Sequence, residues 1–282
     1  MAIVQMQRIN ICALKKNRKA ILERLQELGA MEIDIQLEDD NLGEKQDVAG
    51  SRALFERRAQ TADQALAILN TYVPEKKGML DSLAGKPLVE KELFEKAAEN
   101  QDQYMATASR IVTLDKQIAE SKAAVLKVQN QVEALAPWLS LTVPVSYTGT
   151  QKTAVLIGTM PNPQDQQSIL NLLAGAVPDV EAVDVELIST DKDFTYLAVI
   201  CMKQDAGKVE EVLRAGGFSK PSSPVQKIPE EYKKDLEAEI AKAQEQAKQL
   251  ESELIECAVS RQDLELISDY YRTRAEKYRI LG

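Results

Sequence analysis

The 282-residue chain contains no histidine. That removes the commonest general base and the commonest metal ligand from any chemistry it could run. Its three cysteines, Cys12, Cys201 and Cys257, lie far apart and form no CxxC pair. They suit neither a zinc site nor a redox couple, and read as small buried hydrophobes in a reducing compartment. Long apolar runs are missing as well. The longest, YLAVICM at 196–202, is far too short to cross a bilayer. Charges spread through residues 1–30 argue against a secretory leader, so the expected setting is soluble and cytoplasmic. A positive excess is also lacking: the net charge of −9 counts against a nucleic-acid partner, because phosphates demand a basic face. The first 24 residues do run basic (Arg8, Lys15, Lys16, Arg18, Lys19, Arg24), and they read as a solvated helix end. Aromatics are only 5% while charged residues are 28%. That balance suits long, solvent-washed helices better than a compact enzyme.

Periodic structure is what the chain has in quantity. Ile9 and Ile11 alternate with Arg8 and Asn10, and Met31, Ile33, Ile35 and Leu37 alternate with Glu32, Asp34, Gln36 and Glu38. Both are the period-2 pattern of half-buried strands. Between them Ile21, Leu22, Leu25 and Leu28 make a helical stripe that Gly29 closes in the C-cap position. Two strands and one helix cannot cover the faces and edges of a sheet, so residues 1–38 predict only a partial βαβ lobe.

Residues 39–148 predict two outgoing helices. The first covers 44–73 and is stopped by Pro74, Gly78, Gly85 and Pro87. The second runs from about 89 to 136, with Ile111, Ile118, Val125 and Val132 at one heptad position and Leu114, Ser121, Val128 and Leu135 three residues later, the seam of a coiled coil. Pro137 and Pro144 end it. Residues 149–222 change period. TAVLIG, EAVDVELI and FTYLAVICM read as strands, two helices intervene, and GGF turns toward a possible last strand. The β-α-β-β-α-(β) order is that of a ferredoxin-like lobe. Residues 223–282 predict one returning helix, with Leu236, Ala243, Leu250, Cys257 and Leu264 in heptad register until Arg261 and Ser268 blur the seam. The predicted fold is therefore α+β, an elongated lobe–rod–lobe. A long antiparallel coiled-coil bundle joins a ferredoxin-like distal lobe to the partial near-end lobe, and Val125 and Val128 face the Leu236–Leu254 seam.

Catalytic motifs are not found. LAGKPLVEK at 83–91 invites a phosphate-loop reading, but Leu80 stands where the first glycine belongs and Pro87 replaces the Ser/Thr. Tyr270 and Tyr271 beside Arg272 and Arg274 read as the helix entering the near-end lobe. No residue is assigned a catalytic, cofactor-binding or metal-binding role.

The order of these pieces resembles subunit I, the a-subunit, of V-type and A-type rotary ATPases. MAIVQMQRINICALKKNRKAILERLQELGAMEID resembles the family's amino terminus, IGTMP with Gly158 and Pro161 resembles the GxxP turn after the first strand of its distal lobe, and the heptad legs and YYRTRAEKYRILG match in order. The family's chains continue with the rest of the near-end lobe and a multi-helix membrane domain, so the expectation is a cytoplasmic fragment of such a subunit. The resemblance implies a non-catalytic stator at the cytoplasmic face of the membrane. Its distal lobe would meet a peripheral stalk of E and G subunits, its near-end lobe would lie close to a central-rotor subunit of C/d type, and the membrane ring would be reached through the further domain. The lobe surface expected to meet the stalk comprises Met160, Pro161, Asn162 and Phe218. The alternative reading is a free-standing coiled-coil tether whose ferredoxin-like lobe senses a small ligand.

Overall fold

A computed structural model of the chain describes residues 7–9, 11, 13–29, 31, 49–75, 88–222 and 224–281. In chain order the elements are α1 (Arg18–Leu28), α2 (Ala49–Tyr72), α3 (Lys91–Glu99), α4 (Gln101–Leu135), β1 (Thr153–Pro161), α5 (Gln166–Ala176), β2 (Val183–Thr190), β3 (Phe194–Met202), α6 (Ala206–Ala215), α7 (Pro229–Glu256) and α8 (Arg261–Leu281). Short 3-10 turns occupy Lys15–Asn17, Ala136–Trp138 and Cys257–Ser260. The chain divides into two compact units, Met1–Gln117 with Leu250–Gly282, and Ile118–Gln249. The expected α+β class holds, with helices predominating over one small antiparallel sheet.

In the Ile118–Gln249 unit the sheet order is β1-β3-β2. Alternation along the strands sends Leu156, Met160, Val185, Leu197 and Val199 to the face covered by α5 and α6, where Ile169, Leu173, Val209 and Leu213 complete the core. The residues between them, such as Ile157 and Ala198, point the other way and pack under Trp138, Leu141 and Val145. Trp138 stands edge-on to Tyr196, ring centroids 5.1 Å apart. Residues 136–147, expected only to end a helix, thus cover the sheet's second face.

The expected last strand is reduced to a single bridge. Thr159 and Ser219 exchange both backbone hydrogen bonds, each 2.9 Å. The next hydrogen-bonded pairs along such an antiparallel ladder would be Ile157 with Pro221 and Pro161 with Gly217. Each contains a proline, which has no N–H to give, so the ladder stops on both sides after one pair.

The outer edge of β2 is closed by side chains. Asp184 Oδ1 accepts the Val185 N–H at 2.9 Å and Gln166 Nε2 donates to the Val185 carbonyl at 2.6 Å. Ser140 Oγ donates to the Ile188 carbonyl at 3.2 Å, and a bulge at Leu187/Ser189 breaks the register beyond. An edge so occupied is a poor template for an added strand.

In the same unit the heptad positions find each other: Val128, Leu135 and Leu236 form one buried cluster, with Val132, Tyr232 and Ile240 around it. The returning and outgoing helices depart from the sequence reading in continuity. The helix expected over 89–136 breaks at Asn100, whose side chain donates to the Lys96 carbonyl at 3.0 Å and so competes with the helical ladder. The returning helix, expected as one piece, is interrupted by the 3-10 turn at Cys257–Ser260, just before the heptad pattern reaches Arg261. Asp205 stands at the N-cap of α6, but its side chain makes no capping hydrogen bond.

The other unit is organised on α2 and α8. Ala59, Ala62, Ala65 and Leu69 of α2 are buried, and a stripe of such small residues lets a second helix approach closely. Residues that blurred the heptad seam are used here. Arg261 donates to the Leu69 and Val73 carbonyls at the end of α2, satisfying groups a helix terminus leaves open. Ser268 Oγ donates to Asp63 Oδ1 at 2.6 Å. Tyr271 is fully buried, stacked on Phe55, and its hydroxyl accepts from Arg58 and donates to Gln101. Gly29 ends α1 with φ of 57°, its N–H on the Leu25 carbonyl, as the sequence predicts. Glu23 of α1 forms an ion pair with Lys277 of α8, which is only 4% exposed. The strands expected beside α1 are not seen among the described residues. Residues 7–9 and 11 carry no strand, with Ile9 and Ile11 more than half exposed, and the partner run at 32–37, like Cys12, lies outside them.

Candidate partner-docking site

Two loops meet at one end of the sheet. One follows β1 through Pro161 and Asn162 to Asp165; the other is the β2–β3 hairpin at Thr190–Phe194. Pro161 is the cross-strand partner of Phe194. Asn162 takes φ of 63°, the only positive value among the described non-glycine residues, a conformation asparagine tolerates better than most. Its N–H donates to the Asp193 carbonyl at 2.7 Å. Thr195, fully buried, donates its hydroxyl to the Asn162 carbonyl at 2.9 Å and accepts the Gln164 N–H at 2.8 Å. The two loops are thereby tied into one rigid tip.

The hairpin organises itself around Asp191. Its Oδ1 accepts the N–H groups of Asp193 and Phe194 at 2.8 and 2.7 Å, and its Oδ2 accepts the Tyr196 hydroxyl at 2.9 Å. These donors hold the Asp191 carboxyl below the usual aspartate range. Burial, and then the same carboxylate, push the Tyr196 phenol up. On the other loop the Ser168 hydroxyl and N–H lower Asp165 at the start of α5, where a carboxylate also suits the helix dipole. The tip thus carries three carboxylates, Asp165, Asp191 and Asp193, against Lys192.

Of the four residues expected to form the contact surface, Pro161 and Asn162 are exposed. Met160 and Phe218 are not: they are 1% and 5% exposed and belong to the core under α5 and α6. The reason is local. Phe218 fills the space left by Gly158, where an added Cβ would come within 2.4 Å of its ring. Met160 points to the same face by strand alternation. Phe194, 45% exposed beside Pro161, takes their place as the accessible apolar group. Its position as the first residue of the FTYLAVICM run, next to a turn, was the available signal. The same packing accounts for the GxxP segment: Gly158 makes room for Phe218, and Gly217, with φ of 94°, makes room for the Pro161 ring.

Among the described residues no group of His, Cys, Asp and Glu could hold a metal, and no helix is long and apolar enough to cross a membrane. Burial raises the thiols of Cys201 and Cys257, which makes both poor nucleophiles. What the tip presents is an exposed proline–aromatic pair, a backbone held by cross-loop hydrogen bonds and an acidic rim.

The fold has a counterpart among solved structures. The chain matches one described as the crystal structure of the cytoplasmic N-terminal domain of subunit I, homolog of subunit a, of V-ATPase. The match covers 94% of this chain and 84% of that one, with a TM-score of 0.50 and 17% identity. The two share a fold over nearly their whole lengths. No protein-family profile matches the sequence, and no curated protein does.

Proposed function

We propose that this chain is the cytoplasmic, non-catalytic stator part of a V/A-type rotary ATPase membrane subunit. The observation that carries the reading is the fold shared with the subunit I domain over 94% of the chain. In this reading residues 149–222 form the distal lobe, the heptad segments in 39–148 and 223–282 form the strut, and residues 1–38 belong to the near-end lobe. The distal lobe meets a peripheral stalk of E and G subunits, and the near-end lobe lies by a C/d-type rotor subunit. The domain works at the cytoplasmic face of the membrane and couples to ion transport without moving ions itself. A stator must transmit torque and needs surfaces that hold partners, not a reactive centre. The Pro161–Asn162–Phe194 tip supports this, because a fixed acidic and apolar surface suits a helix carrying basic and aliphatic residues.

The test is a calorimetric titration of the whole chain with a purified E–G stalk. Binding of modest affinity is expected, since a stator held at several points gains strength from multivalency. Asn162→Arg combined with Phe194→Ala should weaken it at least tenfold. Absence of binding at concentrations on the order of 50 µM would remove the stalk assignment, and binding indifferent to both substitutions would remove these residues from it.

A further inference from the structure

The core under α5 and α6 is apolar with one exception. Along β3 the side chains of Thr195, Leu197, Val199 and Cys201 face the same way by strand alternation, and the last three join that core. Thr195 is buried with them. Among the described residues of the Ile118–Gln249 unit it is the one buried side chain that bears a hydroxyl, an amide or a charge. A valine would fill the same space with no hydroxyl to desolvate, and an unbonded buried hydroxyl is costly. Here the hydroxyl is fully used. It donates to the Asn162 carbonyl at 2.9 Å and accepts the Gln164 N–H at 2.8 Å. Both partners belong to the loop that carries Pro161 and Asn162, and neither belongs to the core.

Other ties hold the same loop, but they lie at the surface. Prolines at 161 and 163 fix φ on either side of Asn162. The Asn162 N–H donates to the Asp193 carbonyl, and Gln164 Nε2 donates to the Pro161 carbonyl at 3.1 Å. Asp165 accepts the Ser168 N–H at 2.8 Å. Of these anchors Thr195 alone starts inside the sheet core.

We propose that Thr195 is a positioning residue for partner docking. Its hydroxyl holds the Pro161–Asn162 backbone in the conformation a partner meets, and Thr195 itself touches no partner. The proposal rests on the tip being a docking surface, as in the stalk reading. A loop that must be ordered on binding loses affinity, and a loop ordered beforehand avoids that loss. Removing the hydroxyl leaves Pro161, Asn162 and Phe194 unchanged, so positioning and contact can be measured apart.

The experiment compares Thr195→Val, which lacks the hydroxyl, with Thr195→Ser, which keeps it, each in the whole chain. In the free Thr195→Val chain the Asn162 and Gln164 amides should exchange at least about tenfold faster, while Val199 stays protected. Thr195→Ser should stay near the parent. In calorimetric titration with a purified E–G stalk, Thr195→Val should bind about fivefold more weakly, the loss falling in the binding entropy. Thr195→Ser should recover most of it. Gln164→Ala frees the Pro161 carbonyl at the surface and leaves the core intact. It should act in the same direction to a smaller extent, and it carries the test if melting shows that Thr195→Val does not fold. Parent-like binding by a variant whose tip amides exchange faster overturns the proposal and leaves the stalk reading standing. Unchanged exchange in Thr195→Val also overturns it, as does an equal loss in Thr195→Ser, which would trace the effect to packing. Absence of stalk binding by the parent chain removes both readings.

Discussion

Gly158 and Phe218 occupy one another's space: the phenyl ring lies where any side chain at residue 158 would begin, 2.4 Å from an ideal Cβ. Phe218 is thereby held in the core beside Met160 and Leu213, and Ser219, the next residue, is aligned for its bridge to Thr159. Gly158→Ala should therefore destabilise the α/β unit by about 2–3 kcal/mol, the scale of an overpacked core. Urea unfolding would measure it. Adding Phe218→Leu should recover part of the loss, a coupling that two independent defects would not show.

Val128→Asp should cost about 3 kcal/mol, because it places an unpaired carboxylate among Leu135, Leu236 and Ile240. Leu126→Asp, two residues earlier on the same helix but 62% exposed, should change stability by no more than about 0.5 kcal/mol. Thermal melting of the two variants distinguishes the buried stripe of α4 from the solvated one. Similar losses in both would contradict the burial of the seam.

The Glu23–Lys277 pair makes the docking of α1 depend on pH. The Lys277 ammonium, hydrogen-bonded to Glu23, holds its carboxyl below the usual glutamate value, helped by Lys19 and Arg274. A depressed carboxylate contributes stability that is fully present above its unfolded value and is lost as pH falls through the folded one. Glu23 is about half exposed, so the contribution is at most about 1 kcal/mol after solvent screening. Glu23→Gln should melt below the parent at neutral pH, and the gap should close in acid. A gap that widened on acidification would reverse the assigned sign.

Arg261 serves as a cap at a distance. Its guanidinium reaches two carbonyls at the end of α2 and pairs with Glu75. Arg261→Ala should cost about 1.5–3 kcal/mol, as for hydrogen bonds from a charged donor. Arg261→Lys should rescue little, because an ammonium lacks the planar fork that serves two acceptors. Full rescue by lysine in a melting experiment would show that charge alone matters.

These residues also mark where the sequence could be read and where it could not. The seam at Val128, Leu135 and Leu236 was legible because burial imposes a seven-residue period on both helices. The β-α-β-β-α order was legible because the period changes at residue 152. The break at Cys257–Ser260 was not, since it depends on Arg261 finding carbonyls nearly 190 residues earlier in the chain. The missing fourth strand needed the register of Thr159 against Ser219, which alone reveals that Pro161 and Pro221 fall on its bonding positions. The exposed turn at Pro161 and Asn162 was legible from turn chemistry. Met160 and Phe218 were misplaced because apolar residues near a turn look the same in sequence whether they face the core or the solvent.

The one-pair bridge at Ser219 bears on how the α/β unit carries load. A strand in full register would spread tension along a ladder of hydrogen bonds; here Ser219 is tied to β1 by two, and the next backbone tie toward α7 is the Ser146 N–H on the Val225 carbonyl. Mechanical strength at this exit rests instead on the Phe218 ring seated over Gly158. A pull on Lys220 loads the two Ser219 bonds first and, once they part, must draw the Phe218 ring out of its socket, so the joint works as a plug behind a single clasp.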